Sequence, residues 1–298
     1  MPTRQLRAPG PLDLQLTVGR LRSGRRDPCL RLTASTAWWT TRGPAGPATL
    51  ALEVRRGDVT AEAWGRGADD VLARVPALLG FDDDPTAFAP RHPLVRDLHR
   101  RRPGMRLGGT GAVLEALIPA IVHQKVTGLE AGRSFGRLVR RFAEPAPGPA
   151  GMVLPPDPAR LAETPYWSLH RCGIERRRAE TIARVARQAR RLERAATLPP
   201  ADAAQLLQSV PGVGPWTAAE VAQVALGDRD AVSVGDYNLP HLVSWNLAGE
   251  RRGSDERMLE LLAPFAGQRA RVVRLLELSG RMPPRRAPHA PLRSFASS

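Results

Sequence analysis

The segment from residue 206 to residue 219 constrains this chain more than any other part of its sequence. Two glycines, Gly212 and Gly214, follow a helix-forming stretch that ends at Val210. Glycine readily adopts the positive φ angles that a very tight turn requires. Pro215 then suits the first turn of a second helix, where its missing N–H has no intrahelical partner. The pattern predicts two helices joined by a hairpin, either as a simple packing turn or as a surface whose backbone N–H groups bind a phosphate oxygen.

One carboxylate stands out downstream of this hairpin. Asp236 lies 22 residues after Gly214, behind an apolar strand-like piece and directly before a predicted helix at 237–248. An aspartate in that position is a common helix N-cap. From position alone, a capping role and a chemical role both stay open.

Composition narrows the class of partner. The formal net charge is +15 and the sequence pI is about 11.4. Such an excess favours a polyanion, either nucleic acid or an anionic membrane surface, although a high arginine content also follows from genomic composition. No long basic amphipathic helix favours the membrane surface. Lys125 is the only lysine, so nearly all of the positive charge is carried by arginine.

Cysteine usage excludes several kinds of site. Cys29 and Cys172 are the only cysteines, and two thiols cannot form a four-cysteine zinc or iron–sulfur site. Nothing indicates a disulfide framework, a signal peptide or a membrane-spanning run. We therefore expect a cytoplasmic, nucleoid-associated protein.

The apolar pattern changes its period along the chain. Residues 12 to about 64 alternate like strands, with Leu12, Leu14 and Leu16 as the first run, and 68–79 has helical spacing. From Pro93 onward the period is 3.6. The sequence predicts helices at 93–101, 111–126, 129–143, 164–171, 176–195, 201–209, 215–226, 237–248, 255–264 and 268–280, with a loop at 144–158.

The predicted fold class is α+β, with a small strand-rich N-terminal domain followed by an all-helical region. We expect the N-terminal domain at 1–88, the helical region at 89–282 and a disordered tail at 283–298, where prolines, arginines and serines replace apolar residues.

The run Leu207-x-x-Val210-Pro211-Gly212-Val213-Gly214-x-x-Thr217-Ala218 resembles the signature of the helix-hairpin-helix DNA glycosylase superfamily. Within it, the layout resembles the 3-methyladenine DNA glycosylase II family. Trp216-Thr217-Ala218 after the hairpin, Asp236-Tyr237 in the following loop and Arg106-Leu107-Gly108-Gly109 before a buried helix carry that likeness. The resemblance spans about residues 10 to 280.

This resemblance implies roles for particular residues. Asp236 becomes the catalytic carboxylate, which stabilises positive charge on a sugar and orients the attacking water. The base pocket would contain Trp216, Tyr237, Gln124 and Glu220, where the family often has an aromatic residue in place of Glu220. DNA contacts would come from Pro211, Gly212, Val213, Gly214, Thr217 and Lys125. No cofactor is required, and the backbone carbonyls of Gln208, Val210 and Val213 would hold a monovalent cation.

The implied function is a monofunctional DNA glycosylase. It would act as a monomer on double-stranded DNA with damaged bases, and would flip and excise alkylated purines such as 3-methyladenine. Bifunctional members of the superfamily carry a lysine two residues after the second glycine, where this chain has Trp216. The alternatives are a non-catalytic helix-hairpin-helix DNA-binding protein, which would not need Asp236, a glycosylase/lyase, and a glycosylase with divergent lesion specificity.

Overall fold

The computed structural model describes residues 2–284. Its N-terminal part is built around an antiparallel sheet of five strands in the order β1-β5-β4-β3-β2. The strands are β1 (Thr3–Arg7), β2 (Leu30–Leu32), β3 (Thr36–Gly43), β4 (Gly46–Arg55) and β5 (Asp58–Trp64). The alternating apolar residues of β4, Leu50 and Leu52, point into a core beneath the sheet, as period-two burial requires.

The other regular elements of the described chain are helices joined by loops. The first are α1 (Leu14–Val18), α2 (Ala68–Ala73), α3 (Val75–Leu78), α4 (Pro93–Arg100), α5 (Val113–His123), α6 (Gly128–Arg141), α7 (Pro158–Glu163) and α8 (Tyr166–His170). They are followed by α9 (Arg176–Arg187), α10 (Ala189–Glu193), α11 (Pro200–Gln208), α12 (Pro215–Val221), α13 (Leu239–Ala248), α14 (Asp255–Leu262) and α15 (Arg269–Leu278). Between residues 2 and 284, no helix is both long enough and apolar enough to cross a membrane.

Buried apolar side chains form three clusters. One lies under the sheet, and a second surrounds α5, which packs against α6, α9 and α12. The third joins α4 to α13, α14 and α15. The hairpin between α11 and α12 belongs to the second cluster, whereas α13 belongs to the third. The loop 227–238, which carries Asp236, therefore connects two separate apolar cores.

The α+β fold class is confirmed, with the sheet first and the helices after it. The helices predicted from Pro93 onward are present, although the one predicted at 176–195 is divided into α9 and α10. The domain boundaries at 88 and 282 stay a prediction. The predicted tail, 283–298, lies outside the described residues from 285 onward.

Three local predictions were wrong. Residues 14–18 form a helix, because Asp13 accepts a hydrogen bond from the Leu16 N–H and caps its first turn. The first strand instead comes from Thr3–Arg7, which pairs with β5. The helix predicted at 68–79 breaks at Arg74, one residue before the Val75-Pro76 start of α3. Helix α7 was not predicted; it begins at the last residue of the loop predicted at 144–158, where Asp157 caps it.

A buried ion pair connects the N-terminal part to the last helix. Arg271 and Asp83 are 0% and 2% exposed, and their side chains form a salt bridge. The Asp83 carboxylate also accepts the Leu107 N–H at 2.8 Å, and Arg271 donates to the Met105 carbonyl at 3.2 Å. Arg106 donates to the Asp83 carbonyl. Every charged group is thus matched by a partner, which a buried ion pair requires to be tolerated.

Asp83→Ala is expected to lower the free energy of unfolding by about 3–5 kcal/mol, because Arg271 would stay buried without its counter-charge. Urea denaturation followed by circular dichroism measures the change. Asp58→Ala is the matched control, since Asp58 and Arg7 form a pair that is 66% and 67% exposed. That control is expected to cost less than about 1 kcal/mol. Equal losses in the two variants would contradict the central role of the buried pair.

Candidate active site

The hairpin turns where only glycine fits. Gly212 has a φ of +98°, and its Cα hydrogens face the side chain of Thr181 on α9 with no room for a Cβ. The first intrahelical bond of α12 runs from the Ala218 N–H to the Gly214 carbonyl, so the earlier N–H groups of that turn precede the hydrogen-bond ladder. Pro211 and Gly212 are exposed. The turn is therefore present as predicted, with its backbone at the surface ahead of α12; binding of a ligand there stays a prediction.

Two of the six predicted DNA-contacting residues face inward. Val213 is 5% exposed, and its N–H donates to the Val210 carbonyl at 3.0 Å. Thr217 is 1% exposed, and its hydroxyl accepts a hydrogen bond from Gln124 at 2.8 Å. Their side chains support the hairpin and do not reach its surface. Pro211, Gly212 and Gly214 keep backbone at the surface, and Lys125 is exposed.

Gln124 and Lys125 form the tip between α5 and α6. The Gln124 amide donates to the Gly212 carbonyl at 3.0 Å as well as to Thr217, so it ties this tip to the hairpin. The prediction of Gln124 as a base-pocket residue did not anticipate that structural role. Lys125 adopts a φ of +56°, a left-handed conformation that is uncommon for a residue with a Cβ. Buried Arg178 supports the tip from below, because it donates to the Val122 carbonyl at 2.6 Å.

Asp236 is held firmly at the entrance to α13. One carboxylate oxygen, Oδ1, accepts the N–H groups of Asn238 at 2.7 Å and Leu239 at 2.9 Å. The other, Oδ2, accepts the indole N–H of Trp216 at 3.1 Å. The capping role is thus present, but it occupies only one oxygen. The second oxygen faces α12, where the indole N–H of Trp216 holds it.

The two aromatic candidates lie in different places. Trp216 is partly exposed, and its ring edge is directed at Asp236 through the indole N–H. Tyr237 is 84% exposed, and its ring packs edge-on against His241 with centroids 6.3 Å apart. The structure therefore joins Trp216 to Asp236 but leaves Tyr237 on the surface beside the site.

Glu220 lies one helical turn after Trp216, a spacing that places both side chains on the same face of α12. Its carboxylate accepts a hydrogen bond from the Ser233 hydroxyl. Burial, together with the nearby charges of Glu277 and Asp236, raises the pKa of Glu220 to about 7, against the opposing charge of Arg20. A carboxylic acid that changes charge near neutral pH thus lies beside Asp236.

The surroundings of Glu220 come from distant parts of the chain and were not predicted. Arg20, which follows α1, donates to the carbonyls of Gly108 and Gln223. On α15, Arg274 donates to Glu277 at 3.1 Å, and burial raises the pKa of Glu277. No spacing pattern in the sequence could connect these residues to Asp236, because tertiary packing alone brings them together.

The carbonyls predicted to hold a cation belong to one turn. Gln208 ends α11, and the Val210 carbonyl accepts the Val213 N–H. Carbonyl oxygens at a helix C-terminus carry partial negative charge, which suits a monovalent cation. Among residues 2–284, no cluster of three or more His, Cys, Asp or Glu side chains could hold a metal ion.

Two clefts lie away from Asp236. One, of about 260 Å³, lies between residues 77–83, 107–111 and 225–229. The other, of about 910 Å³, runs along α6 and is lined by arginines. Neither is lined by Asp236, Trp216 or Glu220. The site around Asp236 lies instead where the second and third apolar clusters meet.

Known proteins resemble this chain in sequence, although no family model matches it. It is 33% identical over 174 residues to the probable bifunctional transcriptional activator/DNA repair enzyme AlkA of Mycobacterium tuberculosis, which covers 56% of this chain and 34% of that protein. It is 32% identical over 142 residues to DNA-3-methyladenine glycosylase 2 of Escherichia coli, which covers 46% of this chain and 49% of that one. The chain thus spans half or less of the length of these curated relatives.

Solved structures agree in fold. The 3-methyladenine DNA-glycosylase from Archaeoglobus fulgidus superposes with a TM-score of 0.77 at 19% identity, covering 92% of this chain and 97% of that one. The chain shares the fold of that glycosylase. An 8-oxoguanine glycosylase/lyase of Clostridium acetobutylicum, solved with double-stranded DNA, gives a TM-score of 0.69 at 14% identity over 89% of this chain and 90% of that one. At such identities the likeness concerns the fold, and the residues of this site must decide the chemistry.

Gln124→Ala is expected to lower the free energy of unfolding by about 1–3 kcal/mol, because it removes both hydrogen bonds that join the α5 tip to the hairpin. Urea denaturation measures the loss. Gln208→Ala is the control, since that amide donates only to the Ala204 carbonyl of its own helix, and a loss below about 0.5 kcal/mol is expected there. A Gln124 variant as stable as the control would show that the tip and hairpin are held together by other contacts.

Proposed function

We propose that this protein is a monofunctional DNA glycosylase that excises alkylated purines in base excision repair. The observation that carries the proposal is the fixation of Asp236, with Oδ1 held by two backbone N–H groups and Oδ2 beside the indole of Trp216. A DNA-binding module would have no use for a carboxylate held so firmly next to its binding hairpin. The relatives named as a DNA repair enzyme and as a DNA-3-methyladenine glycosylase support the same assignment.

DNA binding rests on the exposed hairpin and on the charge of the chain. The backbone of Pro211, Gly212 and Gly214 lies at the surface ahead of α12, where N–H groups and the helix dipole favour a phosphate. The net charge of +15 adds non-specific attraction. A monovalent cation on the carbonyls of Gln208, Val210 and Val213 would stiffen the same turn. We propose that the protein acts as a monomer in the cytoplasm, on the nucleoid.

The chemistry follows from where Asp236 lies. Once the damaged nucleotide is flipped out of the duplex, the bond between the base nitrogen and C1′ of the sugar breaks, and its electron pair leaves with the base. The positive charge that develops on the sugar is stabilised by the Asp236 carboxylate. Water then attacks C1′ and loses a proton to the carboxylate or to solvent. The products are the free base and an abasic sugar.

Water serves as the nucleophile because the hairpin offers no amine. Trp216 occupies the position where a lyase of the superfamily carries its lysine. Lys125, the only lysine of the chain, lies on the α5–α6 tip and not on the hairpin. The 8-oxoguanine glycosylase/lyase of the same fold makes a bifunctional enzyme the second candidate. Strand cleavage without alkali would favour that candidate.

Preference for a cationic base rests on Trp216 and Glu220. An alkylated purine carries positive charge, and an indole face attracts it through a cation–π contact of about 0.5–2 kcal/mol. Glu220 stands where the family often has a second aromatic residue. Its carboxylate supplies negative charge in place of a π surface, which points to a lesion range that differs from that of the family.

Asp236→Asn is expected to reduce release of 3-methyladenine and 7-methylguanine from duplex DNA by at least about a hundredfold, because the amide cannot stabilise the cationic sugar. Wild-type strands are expected to break only after hot alkali. Asp255→Asn is the control, since Asp255 accepts the neighbouring Gly235 N–H but lies outside the site. If wild type binds this DNA yet frees no base from a wide lesion panel, the non-catalytic alternative holds.

The KM for a cationic lesion is expected to fall about tenfold as pH rises through 7, because ionisation of Glu220 adds a negative charge beside the base. Glu220→Gln is expected to flatten that profile. Hypoxanthine, a neutral purine, serves as the control substrate, and its KM should not follow this titration. A Glu220→Gln variant whose profile matches wild type on 7-methylguanine would remove Glu220 from base recognition.

A further inference from the structure

A cationic groove runs along one side of α6, outside the site around Asp236. It encloses about 910 Å³, and five arginines line it: Arg25, Arg26, Arg133, Arg137 and Arg140. All five are exposed, and no acidic side chain lines the groove. Five guanidinium groups around one concave surface repel one another unless an anion lies between them.

The helical arginines share one face. Arg133, Arg137 and Arg140 follow the i, i+4, i+7 spacing that places side chains in a single row. Between residues 2 and 284, none of the three forms a salt bridge with a carboxylate. By contrast, Arg176 and Arg184 on α9 both pair with Glu180. The α6 row is therefore a band of uncompensated positive charge.

Glycines give the groove its concave shape. Gly24 has a φ of +87°, and a Cβ on it would lie 2.8 Å from the Cα of Gly132. Only this close backbone contact lets the loop with Arg25 and Arg26 lie against α6. The backbone that carries Arg25 and Arg26 is thus held against α6 and forms the second wall of the groove.

The groove begins at the tip that already touches the hairpin. Gly128 and Leu129 line its near end, and they follow Lys125 at the start of α6. Leu129 is 54% exposed at this end of the groove. From Leu129 to Arg140 the helix rises about 17 Å, which corresponds to about five base pairs of duplex.

We propose that this groove binds the phosphate backbone of duplex DNA that flanks the lesion, as a second contact surface beyond the hairpin. The identity of the partner, DNA, rests on the proposed function, whereas the binding chemistry rests on the arginines of the groove. The helical row follows one strand over several phosphates, and Arg25 and Arg26 close over it from the other side. Arginine suits the purpose because its guanidinium forms bidentate contacts with phosphate.

The test compares three variants with wild type in salt titrations of duplex binding, followed by fluorescence anisotropy. The first changes Arg133, Arg137 and Arg140 to Gln, and the second changes the same residues to Lys. The third changes Arg55, Arg56 and Arg66 to Gln, which removes equal charge from exposed positions at the ends of β4 and β5 and in the turns beside them. Urea denaturation checks that each variant is folded.

Loss of the helical row is expected to reduce the slope of log Kd against log salt by about 2.7. Each phosphate that an arginine neutralises contributes about 0.9 through the counterions it releases. The lysine variant and the sheet variant are expected to keep the wild-type slope. Base release at saturating DNA should be unchanged in all of them. A glutamine variant with the wild-type slope would overturn the proposal that the groove binds DNA, while leaving the glycosylase proposal intact. A slope that falls in a chain that releases no base would support the groove and reject the proposed activity.

Discussion

The buried contact between Arg271 and Asp83 fixes where the last helix lies, and the site depends on that placement. Asp83 follows the sheet and α3, whereas Arg271 belongs to α15. The same helix begins with Arg269, whose guanidinium pairs with Asp230 in the loop that leads to Asp236. One helix thus anchors the N-terminal part, the third apolar core and the loop that carries Asp236. Charges held in low dielectric have strict geometry, so this anchor tolerates little displacement.

Close packing of backbone against backbone adds a second constraint to these ion pairs. Gly109 and Gly227 approach so closely that a Cβ on Gly109 would lie 2.8 Å from the Gly227 nitrogen. The π-helical turn Ala222–Leu226 extends α12 into this contact and ends at Gly227, which adopts a left-handed conformation. Here the chain passes from the second apolar cluster, which includes the hairpin, to the third, which includes α13. The loop that carries Asp236 is therefore held at one end by the glycine contact and at the other by the packing of α13 in the third cluster.

Local patterns allowed correct prediction of the helices from Pro93 onward and of the hairpin, because each depends on residues close together in sequence, whereas the chemical role of Asp236 stays a prediction. The alternation of Leu12, Leu14 and Leu16 misled, since a single aspartate cap at Asp13 outweighed it. Such patterns could not predict which residues far apart in sequence lie close together in the fold. Arg20 approaches Glu220 only through the fold, and the burial of Thr217 beneath Gln124 follows from how α5 meets the hairpin. Charge composition indicated a polyanion without indicating that one groove concentrates the charge.

The left-handed tip at Lys125 has a practical consequence. Every other basic side chain that could meet DNA is a guanidinium or an imidazole, so one exposed residue holds the only side-chain primary amine of the molecule. Amine-selective reagents will therefore modify a single side chain, at the point where the tip meets the hairpin. The α-amine of a chain reacts with the same reagents, so once it is blocked a dye on Lys125 would report, without engineered cysteines, on whatever occupies the space beside the hairpin.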